Sequence, residues 1–145
     1  KAVANILIRE LSVRDDWQLI VTPLLHDLLE DSWLLSEDRV RRNFGRRVAW
    51  WVKLLTKEAG PDYFERLRKA PWQPILVKFC DRLHNLRTLD ACEAAKRKRK
   101  LAETRRYFPA LADILLARIP RECRSGELYV TGAVANFCTE KVRQP

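Results

Sequence analysis

The chain has 145 residues, a formal charge of +9, four glycines and no methionine. That length supports one domain around one core, and scarce glycine beside 47% hydrophobic and 32% charged residues favours a helical globule over a turn-rich β fold. No apolar run approaches the roughly 18 residues that span a bilayer, and the positive charge suits either an anionic partner, such as a nucleotide or nucleic acid, or a solvated basic surface.

In chain order, Val3, Ile6, Leu7 and Leu11 recur at the spacing of one helix face. Because the chain opens inside this pattern, it is expected to be part of something longer, with residues that matter upstream. Asp15 and Asp16 cap or open a second helix from Trp17 to about Glu30, which Pro23 starts or bends. Ser36 begins a third, with Val40, Phe44, Val48 and Trp51 on one side and Arg41, Arg42, Arg46 and Arg47 on the rest. Loop signals at Ala59-Gly60-Pro61-Asp62 and Ala70-Pro71-Trp72-Gln73-Pro74 enclose a short charged helix. Pro74 then opens an apolar helix through Ile75, Leu76, Phe79, Leu83 and Leu86. A charged helix is expected from about Glu93 to Tyr107 and a separate apolar one from about Pro109 to Ile119. After Pro120, Gly126 and Gly132 bracket Glu127–Thr131, which reads as a short strand or an extended tail. The expected fold is all-α, a helical bundle over residues 1–120, with residues 121–145 an irregular or extended tail.

Cys80, Cys92, Cys123 and Cys138 form no CxxC pair, so they are expected to be reduced thiols of a cytoplasmic protein. Chemistry concentrates in Leu24-Leu25-His26-Asp27-Leu28-Leu29-Glu30-Asp31. On a helix His26 and Glu30 share a face, as do Asp27 and Asp31. Carboxylates this close raise each other's pKa unless a cation neutralises them, and one imidazole with carboxylates suits Mn²⁺, Fe²⁺ or Zn²⁺ better than Ca²⁺. The plain alternative is a helix end with solvated acids and one satisfied histidine. A second segment adds weight: Asp81, Asn85 and Thr88 fall at i, i+4 and i+7, a polar stripe on an otherwise apolar helix. Buried polar groups in register require partners, and an Asp from a facing helix completes metal sites that keep open positions for water.

The string His26-Asp27-Leu28-Leu29-Glu30-Asp31-Ser32 resembles the HD signature of the RelA/SpoT alarmone hydrolases. Phe44-Gly45 with Val48, Leu54-Thr56-Lys57, and above all Val77 to Leu89 are similar to the same family. Glu103-Thr104 and Tyr107 to Ala112 look like its following helix. The likeness runs over residues 1 to 119 in the family's order. It implies an HD-domain bundle with His26, Asp27 and Asp81 as metal ligands, usually for Mn²⁺. It implies Glu30 and Asp31 as the acidic pair that positions or activates water, and Asn85 and Thr88 as residues that hold a small-molecule nucleotide. The implied reaction is hydrolysis of the 3′-diphosphate of guanosine tetra- or pentaphosphate, without a synthetase half. The family's further metal-binding His, in a His-Pro step before a Val-Ala pair, would fall just before Lys1 if Val3-Ala4 is that pair. Other HD nucleotide hydrolases, and a non-catalytic nucleotide-binding module, stay open as alternatives.

The remaining candidates read as structural. His84 is expected to pack, Arg82 to pair with the acidic cluster, and Trp50, Trp51, Trp72 and Cys80 to fill core or loop space. Lys96 to Lys100 form a solvated charged face, and no aromatic platforms lie between these bases to bind nucleic acid. No membrane partner is expected.

Overall fold

In a computed structural model the described residues are 1–31, 35–56 and 62–143, and the side chains of Glu30, Asp31 and residues 137–143 lie outside the described set. These residues form helices and no strand. Helix α1 (Ala2–Asn5) runs directly into a π-helical turn, Ile6–Glu10. Helix α2 (Trp17–Asp31) starts at Asp16, whose Oδ1 accepts the Leu19 N–H at 3.0 Å. Pro23 lies inside α2 rather than at its start.

Helix α3 (Glu37–Leu55) is capped by Ser36, whose hydroxyl accepts the Arg39 N–H at 3.2 Å, and Glu37 and Asp38 face the positive end of its dipole. Helices α4 (Tyr63–Lys69) and α5 (Trp72–Arg87) come next, then a 3₁₀ turn, Leu89–Ala91. Helix α6 (Ala94–Arg118) and a second 3₁₀ turn, Arg121–Cys123, lead to α7 (Arg124–Arg143).

Two expectations need correction. The charged and apolar helices expected on either side of Pro109 are one helix, α6. A mid-helix proline costs about 3 kcal/mol, but Phe108, Leu111 and Leu115 are buried on both sides of it, and each stabilises by about 1.5–3 kcal/mol. Packing wins, and the proline ring stays on the exposed face. The segment Glu127–Thr131, expected as a strand or extended tail, lies inside α7. Glu127, Val130 and Val134 are buried at helical spacing, and no strand among the described residues offers backbone partners. Gly126 suits this packing: a Cβ there would meet Leu11 at 3.3 Å.

Helix α5 packs against each of α1, α2, α3, α4, α6 and α7, which explains why most of its residues are buried, Lys78 and Arg82 among them. The main core gathers around its Ile75, Phe79 and Leu83. A smaller cluster, Leu25, Val40, Val48, Ala49 and Val52, seals α2 to α3. Phe64 stacks on Tyr107 at 4.0 Å and Phe79 meets Phe108 edge-on at 5.0 Å, tying α4 and α5 to α6. The bundle therefore holds its central helix from all sides, and the polar stripe of that helix is the exception to be explained.

Candidate active site

Asp81 sits midway along α5 with its side chain 30% exposed, where the buried surround opens. Lys78, one turn earlier, is almost fully buried and donates from Nζ to Asp81 Oδ2 at 2.8 Å. Asn85, one turn later, donates from Nδ2 to Asp81 Oδ1 at 3.0 Å and to the Asp81 carbonyl at 2.9 Å. Burial acts to raise the Asp81 carboxyl, but the ion pair and hydrogen bond with Lys78, followed by Arg82 and Lys100, hold it below the usual carboxylate range. Burial likewise acts to lower the Lys78 amine, and Asp81 and Tyr63 more than offset it. Asp81 is thus an ionised carboxylate at the mouth of a buried helix, among three cations.

Those cations are not equivalent. Arg82 is buried and pairs with Glu103 of α6, not with the acidic cluster of α2 as expected. Its Nη1 also reaches the Lys100 carbonyl at 3.4 Å, and the guanidinium lies 4.7 Å from the centre of the Phe108 ring. Its role is structural all the same, with a different partner. Lys100 belongs to the basic run expected to be solvated; Lys96, Lys98 and Arg99 are exposed, but Lys100 is half-buried. Burial first, then the charge of Arg82, lowers its amine from the ordinary lysine range.

His26 and Asp27 lie in the C-terminal half of α2, a helix packed against α5. His26 is half-buried, and the Asp27 side chain is 54% exposed. The Lys1 backbone nitrogen lies 3.6 Å from Asp27 Oδ2, so the residue preceding α1 lies beside Asp27. Glu30 and Asp31 belong to the last turn of α2, but their side chains lie outside the described residues. Thr88 caps α5, donating from Oγ1 to the His84 carbonyl at 3.1 Å.

One imidazole and two ionisable carboxylates suit a divalent first-row cation in chemistry. Among the described residues, however, no three His, Cys, Asp or Glu side chains cluster closely enough to hold one. A groove of about 460 Å³ lies elsewhere, lined by Leu11 to Asp16, Trp72 and the α6–α7 junction, and none of the sequence-predicted site residues lines it. Its nearest α2 residue, Leu19, is seven positions before His26, about 10 Å along the axis.

Sequence reasoning missed two features here. The Lys78–Asp81 pair was legible as i, i+3 spacing. The Arg82–Glu103 pair joins residues 21 apart and needs the packing of α5 on α6. Among the other expectations, Trp51 is buried as expected, Trp50 is 51% exposed, and Cys80, Cys92 and Cys123 are free thiols. Cys138 lies outside the described side chains. No helix among the described residues is long and apolar enough to cross a membrane.

A family profile described as an HD domain matches residues 1–115. A probable guanosine-3′,5′-bis(diphosphate) 3′-pyrophosphohydrolase of Synechocystis is 35% identical over 127 residues, 79% of this chain and 16% of that protein. The bifunctional (p)ppGpp synthase/hydrolase SpoT of Escherichia coli is 33% identical over 110 residues, 67% of this chain and 16% of that protein. A probable chloroplastic GTP diphosphokinase of Arabidopsis thaliana is 33% identical over 115 residues, again 67% and 16%. The chain thus spans about a sixth of the length of these curated relatives.

Proposed function

Because this chain belongs to the HD-domain family, we propose that it forms the hydrolase site of an enzyme that removes the 3′-diphosphate from guanosine tetra- or pentaphosphate. The observation that carries the reading is Asp81: a carboxylate kept ionised in a largely buried helix, with Asn85 and Thr88 in register, on a helix packed against the one bearing His26-Asp27. The names of the Synechocystis and Escherichia coli relatives support the substrate.

In this reading His26, Asp27 and Asp81 hold a divalent cation, Mn²⁺, and a histidine just before Lys1 in a longer chain would start beside Asp27. Such a cation, when bound, acidifies water and stabilises charge on phosphoryl oxygens. Glu30 and Asp31 orient the attacking water and take its proton. Water adds hydroxide to the departing pyrophosphate, and the ribose 3′ oxygen leaves with a proton, giving GDP or GTP. The amide nitrogen of Asn85 is committed to Asp81 and the Thr88 hydroxyl proton to the His84 carbonyl. Both therefore offer acceptor oxygens, which suit donors on the nucleoside rather than its phosphates. Lys100 supplies positive charge near Asp81 for the diphosphate. The free thiols suit a reducing, cytoplasmic setting.

The deciding assay measures pyrophosphate release from guanosine tetraphosphate by the full-length protein with Mn²⁺. Asp81→Ala should cost at least the roughly 10–100-fold that loss of an outer partner of a metal ligand costs. An inert wild-type protein with Mn²⁺ bound would sink the reading. The alternative is a nucleotide-binding module without turnover. It predicts guanosine tetraphosphate affinity with no pyrophosphate release in the same assay.

A further inference from the structure

The end of α5 that carries Asn85 and Thr88 is tied down from two distant parts of the chain. Arg87 donates from Nη1 to Glu10 Oε1 at 2.7 Å and from Nη2 to Glu10 Oε2 at 2.8 Å. The Tyr129 hydroxyl donates to Glu10 Oε2 at 2.7 Å and accepts from Arg87 Nη2 at 3.3 Å. The Arg87 and Glu10 side chains are 34% and 28% exposed, so this bidentate pair is partly desolvated. Such fork-to-fork pairs fix orientation as well as distance. The Glu10 carboxyl lies below its ordinary range because of the Arg87 hydrogen bond, with burial opposing and Tyr129 reinforcing.

Each contributor has a structural reason to be there. Glu10 is the last residue of the π-helical turn Ile6–Glu10, whose wider spacing shifts the register of the chain after α1. Tyr129 stands on α7, beyond the residues matched by the family profile. Arg87 is the last residue of α5 and precedes Thr88, which caps it through bonds from its N–H and Oγ1 to the His84 carbonyl. Helix ends fray before helix centres open. The Thr88 hydroxyl is therefore held in place only while the last turn of α5 is closed.

We propose that Glu10 and Tyr129 are positioning residues: acting through Arg87, they hold the last turn of α5 closed and make α7 part of the nucleotide-binding scaffold. This rests on the reading of Asn85 and Thr88 as nucleotide-holding residues. A clamp that only stabilised α7 would leave nucleotide affinity untouched, and an Arg87 that touched the nucleotide would not accept a partner swap.

The test uses the full-length protein. Tyr129→Phe keeps the ring and deletes the hydroxyl. KM for guanosine tetraphosphate should rise about 3–10-fold, the weight of one hydrogen bond, with kcat unchanged. Amide exchange at residues 86–89 should quicken while that in α3 does not. Arg87→Glu should raise KM further, and adding Glu10→Arg should recover most of the loss. Unchanged KM in Tyr129→Phe, or no recovery in the swapped pair, overturns the proposal. Should the wild-type protein release no pyrophosphate, the hydrolase reading has failed by itself. Affinity for guanosine tetraphosphate then replaces KM, and unchanged affinity or unchanged exchange at residues 86–89 in Tyr129→Phe overturns the positioning role.

Discussion

Gly45 interrupts α3 with φ 89° and ψ 167°, a conformation open almost only to glycine. A Cβ at that position would meet nothing within 4 Å, so the cost of adding one is purely that of the backbone. Gly45→Ala is therefore expected to destabilise by about 1–3 kcal/mol, seen as a lower denaturant midpoint with an unchanged slope. The Arg82–Glu103 pair is asymmetric in another way. The Arg82 side chain is 1% exposed and that of Glu103 19%. Removing the carboxylate strands a buried guanidinium, so Glu103→Ala should cost about 3–5 kcal/mol. Arg82→Met leaves a carboxylate that water reaches and should cost less than half as much. Equal losses in chemical denaturation would show that burial of Arg82 is not what matters.

At the scale of elements, α7 carries a polar group at odds with its packing. Glu127 is buried; its Oε1 accepts from Thr131 Oγ1 at 3.4 Å, and its Oε2 has no partner among the described residues. Burial pushes the carboxyl up, and Thr131 and Arg124 offset this only in part. The folded state thus binds this proton more tightly than the unfolded state. Stability is full below the unfolded pKa of about 4.3 and falls as pH rises from there through the raised folded value. Glu127→Gln should raise Tm at pH 7, with the advantage shrinking as pH falls through the raised folded value and gone below about pH 4.3. Thermal unfolding at both pH values checks this, and no gain at pH 7 would mean that the carboxylate finds water or a cation. Helix α6 shows the same principle with the opposite outcome: Pro109 is tolerated because the buried face on either side outweighs it.

At the scale of the molecule, the proposed metal links activity to stability. A cation that binds only the folded protein stabilises it by about 2.7 kcal/mol at 100 times its Kd, worth roughly 5–10 °C in Tm for a domain of this size. Mn²⁺ should raise Tm of the wild type and not of Asp81→Ala, and a chelator should reverse the gain. An equal rise in both proteins would place the ion elsewhere. The charge of +9 is compatible with an anionic nucleotide, but it spreads over α3 and α6 as well as the surroundings of Asp81, so charge alone locates nothing.

The sequence by itself determined the all-α class, the stripe of Asp81, Asn85 and Thr88, and the caps at Asp16 and Ser36. These depend on periodicities and hydrogen bonds within a few residues, which a linear reading captures. Only the tertiary structure decided that α6 passes through Pro109, that residues 127–131 are helical, and that Arg82 turns to Glu103. It alone joined Glu10, Arg87 and Tyr129, residues 77 and 42 positions apart in turn. In each case the outcome rests on burial or pairing between segments remote in the chain, and local propensity carries no information about such partners.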